Sequence, residues 1–321
     1  MNPRRALTAI LALVVFGSPL TATEAPTRVV FYPGWFASAQ FAGVFVALES
    51  GLYTEAGLTV EIRDFSYGQD STANLQADPE TCAMGSIEGY ILLQKLDRGD
   101  DLIAFAPMLQ QSPAGVMSLT KSGVHSAADF AHRPVGVHAY ADALFAWFAR
   151  NAGLAPDATQ FVRVEDDIAA LLTGEIDAMQ GYASEEFVRL RAAAAPQPVN
   201  FLSFAELGFP SYSEILYTTR EQATTHAETV ATFVEATRQG WRRAYEDPVA
   251  AVTAIVKHAG PDADPAHIAA ALRELRPYVM GPDDSPLPTM DHPRWQQLQA
   301  TALEMGLIKT PSPDPTTWLA R

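Results

Sequence analysis

Residues 35–62 read WFASAQFAGVFVALESGLYTEAGLTVEI, and the fold is decided there. In Gly57 to Ile62, Leu58, Val60 and Ile62 alternate with polar neighbours, the period of a half-buried strand. Before it runs a compact apolar stretch, Ala42 to Ser50, closed by Gly51, and then a second short turn closed by Gly57. Glycines at those places end helices, because they take the left-handed backbone without penalty. Upstream, Arg28 to Tyr32 is a β-branched and aromatic run. Strand, helix and strand in this order form a β-α-β unit.

The same alternation continues outward. Ala83-Met84-Gly85 precedes a helical stretch from Ile87 to Leu96 and then Leu102 to Pro107, and Val135-Gly136-Val137 precedes Ala141 to Asn151. Phe161 to Val164 is followed by Ile168 to Thr173, and Asp177 to Gln180 by a helix from Ser184 to about Ala194. Strands alternating with helices of this length predict an α/β fold of parallel sheets covered on both faces. After Glu214 to Thr218 the signal turns helical. Val230, Phe233, Val234, Trp241 and Ala244 share one face of Ala227 to Tyr245, and further helices are predicted at Val249 to His258, Pro265 to Leu275 and Arg294 to Glu304. Pro311, Pro313 and Pro315 read as an extended tail.

Composition narrows the function. A chain of 321 residues suggests about two domains. A net charge of −15 lacks the positive field that nucleic acid or anionic lipid requires, so no nucleic-acid partner is expected. With 48% hydrophobic and 18% charged residues the chain has the balance of a buried core. A single cysteine excludes an intrachain disulfide and a Cys-based metal site. Residues 1–25 place Arg4 and Arg5 before an apolar run, Ala6 to Phe16, and then small residues. That is the order of a secretory signal peptide, cleaved near residues 22–25, and it predicts a periplasmic protein.

Catalytic and metal patterns are weak. The seven histidines, His125, His132, His138, His226, His258, His267 and His292, include no i, i+4 pair. In Gly85-Ser86-Ile87-Glu88-Gly89 the serine directly follows the glycine, so the G-x-S-x-G spacing fails. Glu165-Asp166-Asp167 reads as a solvated loop with a helix cap. No catalytic residue, metal or cofactor is expected. Aromatic and polar residues instead fall where strands give way to helices: Trp35, Phe41, Tyr67, Ser86, Tyr90, Tyr140, Tyr182, Glu185, Glu186 and Tyr212. In open α/β sheets the crevice beyond the carboxyl ends of the strands takes the ligand.

The opening stretch, with Gln110-Gln111-Ser112-Pro113, Ser126 to Val137, Gly174-Glu175-Ile176-Asp177-Ala178-Met179, Gly208 to Tyr217 and the helix around Phe233 to Trp241, resembles a known family. These are the periplasmic solute-binding proteins of ABC importers for thiamine-pyrimidine precursors, riboflavin and alkanesulfonates. The resemblance spans nearly the whole chain after residue 25. It implies a type 2 periplasmic-binding-protein fold of two α/β lobes with a two-crossover hinge. Lobe 1 is then expected at 26–118 and 218–321 and lobe 2 at 119–217, with crossovers near Ser118 to Ser122 and Tyr217 to Arg220. It further implies a small-molecule ligand, and as partners the membrane permease and ATPase subunits.

Within that family the pyrimidine-precursor branch carries a glutamate in "Y-x-x-N-E-P". Here the segment is Tyr182-Ala183-Ser184-Glu185-Glu186-Phe187, which puts Glu186 on that glutamate, with Glu185 and Phe187 departing from the pattern. By the same resemblance Ser38, Gln40 and Ser112 join the expected ligand set. The ligand expected first is a hydroxymethyl- or formylamino-pyrimidine, stacked on Trp35 and on tyrosines among 67, 90, 140, 182 and 212, with Glu186 accepting from its amino group. A second reading keeps the fold and binds riboflavin, a sulfonate or another small anion, the anion at the helix N-terminus after Ser86. A third is a pyrimidine-synthase-like enzyme with His138 as base. A fungal relative of that kind has a cysteine-rich iron motif, which a chain with only Cys82 lacks.

Overall fold

The structure, a computed structural model, describes residues 26–312 apart from 67, 69–70, 77–80, 139–140, 166, 282 and 288–289. The expected signal peptide, Tyr67, Tyr140 and the tail beyond residue 312 therefore lie outside the described residues.

Two five-stranded sheets carry the fold. The first contains β1 (Thr27–Tyr32), β2 (Leu58–Ile62), β3 (Cys82–Ile87), β4 (Leu102–Leu109) and β10 (Ser213–Thr219), in the order β2-β1-β3-β10-β4. The second contains β5 (Ala114–Leu119), β6 (Pro134–Val137), β7 (Gln160–Arg163), β8 (Ala178–Tyr182) and β9 (Val199–Ser203), in the order β7-β6-β8-β5-β9. β1 pairs parallel with β2 and β3, and β6 with β7 and β8.

Two expectations are corrected here. The sheets are mixed, because β10 and β5 run antiparallel to both of their neighbours. Each arrives directly from the other sheet and not from a β-α-β unit, so no crossover helix imposes a parallel direction. The exchange between lobes also comes earlier than Ser118 to Ser122 and Tyr217 to Arg220. All of β5 pairs in the second sheet and all of β10 in the first, so the chain crosses at residues 110–113 and 204–212.

On one face of the first sheet lie α1 (Ala42–Glu49), α2 (Leu52–Glu55), α9 (Ala227–Glu246), α10 (Pro248–Ala259) and α11 (Pro265–Val279). Gly51 and Gly57 adopt φ of 78° and 77°, the left-handed turns that end α1 and α2. α1 and α9 cross at van der Waals distance, since a Cβ on Gly240 would sit 2.0 Å from the Gly43 carbonyl oxygen. The other face packs α3 (Ser71–Gln76), α4 (Gly89–Asp97) and α12 (His292–Glu304). α5 (Asp142–Asn151) covers one face of the second sheet, and α6 (Ala169–Thr173) and α7 (Glu186–Ala194) cover the other. α8 (Arg220–Thr225) follows β10. Leu92, Ile215 and Trp295 of the first lobe belong to the same buried cluster as Val116, Val135 and Phe145 of the second, so apolar packing is continuous from lobe to lobe.

Candidate functional site

The parallel strands of both sheets direct their carboxyl ends toward one crevice. β1 ends before Gly34 and Trp35, β3 before Glu88, and β8 at Tyr182. The Tyr182 hydroxyl donates to Glu88 Oε1 at 3.1 Å, a hydrogen bond from the second lobe to the first. Behind it the two crossovers are tied together, with the Ser112 N–H donating to the Ser211 carbonyl at 2.9 Å.

A cavity of about 40 Å³ lies at this junction. The first lobe contributes Glu88 and Tyr90 to its wall, and the second Leu144, Gln180 and Tyr182. Ser112, Phe204, Phe209 and Ser211 of the crossovers and Met305 and Leu307 beyond α12 complete much of the rest. That volume is room for a few waters, against roughly 300–1,000 Å³ for ligand pockets in general, so a ring enters only when the lobes part. Among the described residues that line it, Glu88 alone carries a formal charge.

Glu88 stands at the N-cap position of α4 without capping it. Its Oε1 accepts from both the Tyr182 and the Ser213 hydroxyls. Beside it, Glu214 in β10 is 4% exposed and adopts φ 47°, a left-handed backbone that costs a non-glycine residue about 1–3 kcal/mol. Glu214 Oε2 accepts from the Ser86 hydroxyl at 2.5 Å, and Ser86 Oγ in turn accepts the Gly34 N–H at 2.8 Å. A Cβ on Gly34 would sit 2.7 Å from the Ser86 carbonyl oxygen and 3.0 Å from Glu214 Oε2, so only glycine lets the Trp35 loop come this close. Burial pushes the Glu88 carboxyl up to about 7. Burial, with the charge of Glu88 added, pushes Glu214 up to about 8.

The structure groups the sequence-predicted residues unevenly. Tyr90, Ser112 and Tyr182 line the cavity, and Ser86 joins the carboxyl network one layer below. Trp35 is 38% exposed on the rim, with ring centroids 5.5 Å from Phe36 and 5.3 Å from Phe65. Ser38 accepts the Gln40 N–H at 3.3 Å and starts a turn whose Ala39 and Phe41 are buried in the core of the first lobe, with Gln40 between them. Glu186 does not line the cavity. Its Oε2 accepts the Tyr182 N–H and its Oε1 the Arg189 guanidinium, each at 2.8 Å, so it fastens the start of α7. Tyr212 is buried against Trp295, under the Arg294 guanidinium, and its hydroxyl accepts the Asp291 N–H at 2.8 Å. His138 is buried at the end of β6, where its N–H donates to Gln180 Oε1 at 3.2 Å. Asp167 holds the Ala169 N–H at 2.9 Å, the helix-start role read from the sequence.

Glu88 and Glu214 were missed. Glu88 lay inside a motif weighed only as a nucleophile turn, and Glu214 is a lone acid in an otherwise apolar and hydroxyl-bearing strand, a signal in itself. Beside the apolar packing, further polar contacts join the lobes. Arg191 pairs with Glu274 at 2.8 Å, His267 with Glu185 at 2.9 Å, and the Trp147 indole N–H donates to Glu304 at 3.1 Å. Glu185 holds His267 above the usual histidine value. Among the described residues no group of three His, Cys, Asp or Glu could hold a metal, and no helix is long and apolar enough to cross a membrane.

Two mixed α/β lobes joined by two crossovers, with a crevice between them, define the periplasmic-binding-protein fold. Residues 38–251 match the family described as NMT1/THI5 like, and the chain belongs to that family. Among solved structures, the periplasmic aliphatic sulphonate binding protein SsuA from Escherichia coli is similar at 16% identity and a TM-score of 0.68, over 91% of this chain and 98% of that one. The alkanesulfonate-binding protein SsuA from Xanthomonas axonopodis pv. citri, bound to MOPS, is similar at 14% identity and 0.63, over 92% and 99%. The desulfurization enzyme DSZB is similar at 16% identity and 0.64, over 92% and 96%. No curated protein sequence matches.

Proposed function

We propose that this protein is the periplasmic substrate-binding component of an ABC importer and that it captures a small nitrogen heterocycle of the thiamine-pyrimidine-precursor type. The observation that carries the reading is Glu88, the one charged group among the described residues lining the cavity. It occupies the N-terminus of α4, where an anionic ligand would look for backbone N–H groups. A carboxyl there favours amino and ring N–H groups and disfavours a sulfonate. Tyr90 and Phe209, with centroids 6.1 Å apart, offer ring faces at the same wall, and Trp35 offers one at the rim. Hinge closure around the ligand presents the closed form to the permease and ATPase subunits.

The fold alone leaves room for catalysis, since DSZB is named an enzyme. Cys82, the chain's single cysteine, is buried in β3 with its thiol pushed up to about 12 by burial, so it supplies no thiolate nucleophile at neutral pH.

The test is calorimetric titration of the purified protein with hydroxymethyl- and formylamino-pyrimidines, thiamine, riboflavin, taurine and an alkanesulfonate. Binding of a pyrimidine, weakened by roughly 1–3 kcal/mol in Trp35→Ala through lost stacking and burial, is the expected result. Binding of only a sulfonate, the ligand class named for the SsuA proteins, overturns the heterocycle and keeps the importer role.

A further inference from the structure

The two cleft carboxyls are cross-linked through each other's neighbours. Ser86, two residues before Glu88, donates to Glu214, and Ser213, the residue before Glu214, donates to Glu88. The groups facing the pair come from every adjoining element: the Tyr182 phenol from β8, the Ser213 hydroxyl from β10 and the Ser86 hydroxyl from β3, with the Gly34 N–H behind it. No lysine, arginine or histidine is among the described residues that act on either carboxyl. Two ionised carboxylates in that setting repel each other with nothing to offset them, so the pair titrates as a unit. The direction of both shifts agrees, with Glu88 and Glu214 each held above the ordinary carboxyl range.

We propose that Glu88 and Glu214 share one proton, and that this proton lets Glu88 read an amidine-type edge, a ring nitrogen next to an exocyclic amino group. The proposal rests on the heterocycle reading above and adds the edge of the ligand that is recognised. Both hydroxyls that reach Glu88 land on Oε1, and Oε2 accepts from no described residue. A proton on Oε2 donates to the ring nitrogen, and the exocyclic amino group donates to Oε1 in place of the Tyr182 hydroxyl, the longer of its two contacts. Glu214 touches no ligand; it is a positioning residue, buried and tied to Glu88 through Ser86 and Ser213 with no cation beside either carboxyl among the described residues, so that the pair does not carry two negative charges and keeps one proton for the ligand's edge. Whether the proton rests on Oε2 or on the ring nitrogen, it stays within the complex. At a pH where the pair already holds it, binding exchanges no proton with solvent. Above that pH, binding must take one up.

The experiment is calorimetry with 4-amino-5-hydroxymethyl-2-methylpyrimidine and its 4-oxo counterpart, from about pH 6.5 to 9.5, in buffers of differing ionisation enthalpy. Affinity of the wild type for the amino compound is expected to hold below about pH 7 and then fall about ten-fold per pH unit above the pair's value, with uptake of close to one proton. The 4-oxo compound, whose edge has donor and acceptor reversed, binds at least ten-fold more weakly at about pH 7. Glu88→Gln keeps a donor and an acceptor but no ionisable proton, so its affinity loses the slope. Should that variant fail to fold, Glu214→Gln moves the slope to lower pH. A pH-independent wild type, or an unchanged slope in Glu88→Gln, overturns the proposal. If the amino compound binds at no pH, the heterocycle reading falls, and the shared proton is judged without ligand by carboxyl NMR titration. One proton leaving the pair above about pH 6 upholds the sharing, and two separate titrations in the ordinary range near 4–5 overturn it.

Discussion

Glu214→Gln should make the protein more stable at neutral pH, and the size of the gain follows from the burial of the carboxyl. The group sits at about 8 in the fold against an ordinary 4.5, so the native state binds a proton that the unfolded chain has lost. A raised folded value means stability is full below about 4.5 and is lost as pH rises from there through about 8. At pH 7 the accumulated loss, at 1.36 kcal/mol per unit, is about 3 kcal/mol. At pH 7 the wild-type carboxyl is already neutral, so the amide that replaces it accepts from Ser86 much as before, and its extra buried N–H without a partner returns about 1 kcal/mol. The net gain is about 2 kcal/mol at pH 7, or about 3 °C in Tm for a chain of this size. At pH 5 the two proteins should melt within about a degree of each other. Thermal and urea melts at pH 5, 7 and 9 make the comparison. A variant that keeps the wild-type pH slope, or is destabilised equally at all three, refutes the reasoning.

Three further outcomes follow from the geometry. Gly240→Ala drives a methyl against the Gly43 carbonyl, 2.0 Å away on a facing helix, and should cost at least about 3 kcal/mol in urea melts while leaving ligand selectivity unchanged. Tyr182→Phe removes the hydroxyl that reaches from β8 to Glu88, worth about 1 kcal/mol, and should enlarge the ligand-free radius of gyration in solution scattering. The hydrogen bond to Glu185 raises His267, so that contact is strongest below the ordinary histidine value and fades as pH climbs through the folded one. Fluorescence energy transfer between labels on α7 and α11 should therefore show more closed protein at pH 6 than at pH 8, and no difference in His267→Gln.

The first β-α-β unit was legible because its information is local: alternation at Leu58, Val60 and Ile62, and two helix-ending glycines. The crossovers were not. Ala114 to Leu119 and Ser213 to Thr219 are buried strands whose partners lie far along the chain, and nothing in their own residues says which sheet they join. In the site, strand-end position singled out Tyr90 and Tyr182, and the family resemblance Ser112, all three of which line the cavity. Strand-end position could not tell which side chains turn inward, so Glu186 and Tyr212 were counted alongside them although both are engaged in packing their own lobe. Glu88 and Glu214 escaped because their chemistry comes from proximity across 126 positions of sequence, which burial creates and periodicity does not reveal.

The placing of β10 between β3 and β4 also sets an order of assembly. β5 to β9 lie in one uninterrupted stretch, residues 114–203, so the second sheet has all its strands as soon as that stretch is made. The first does not. β4 pairs with β10 and with no other described strand, and must wait, edge unpaired, until residues 213–219 arrive. The lobe that begins the chain is the lobe that finishes last, and a chain cut within 204–212 leaves its sheet split in two.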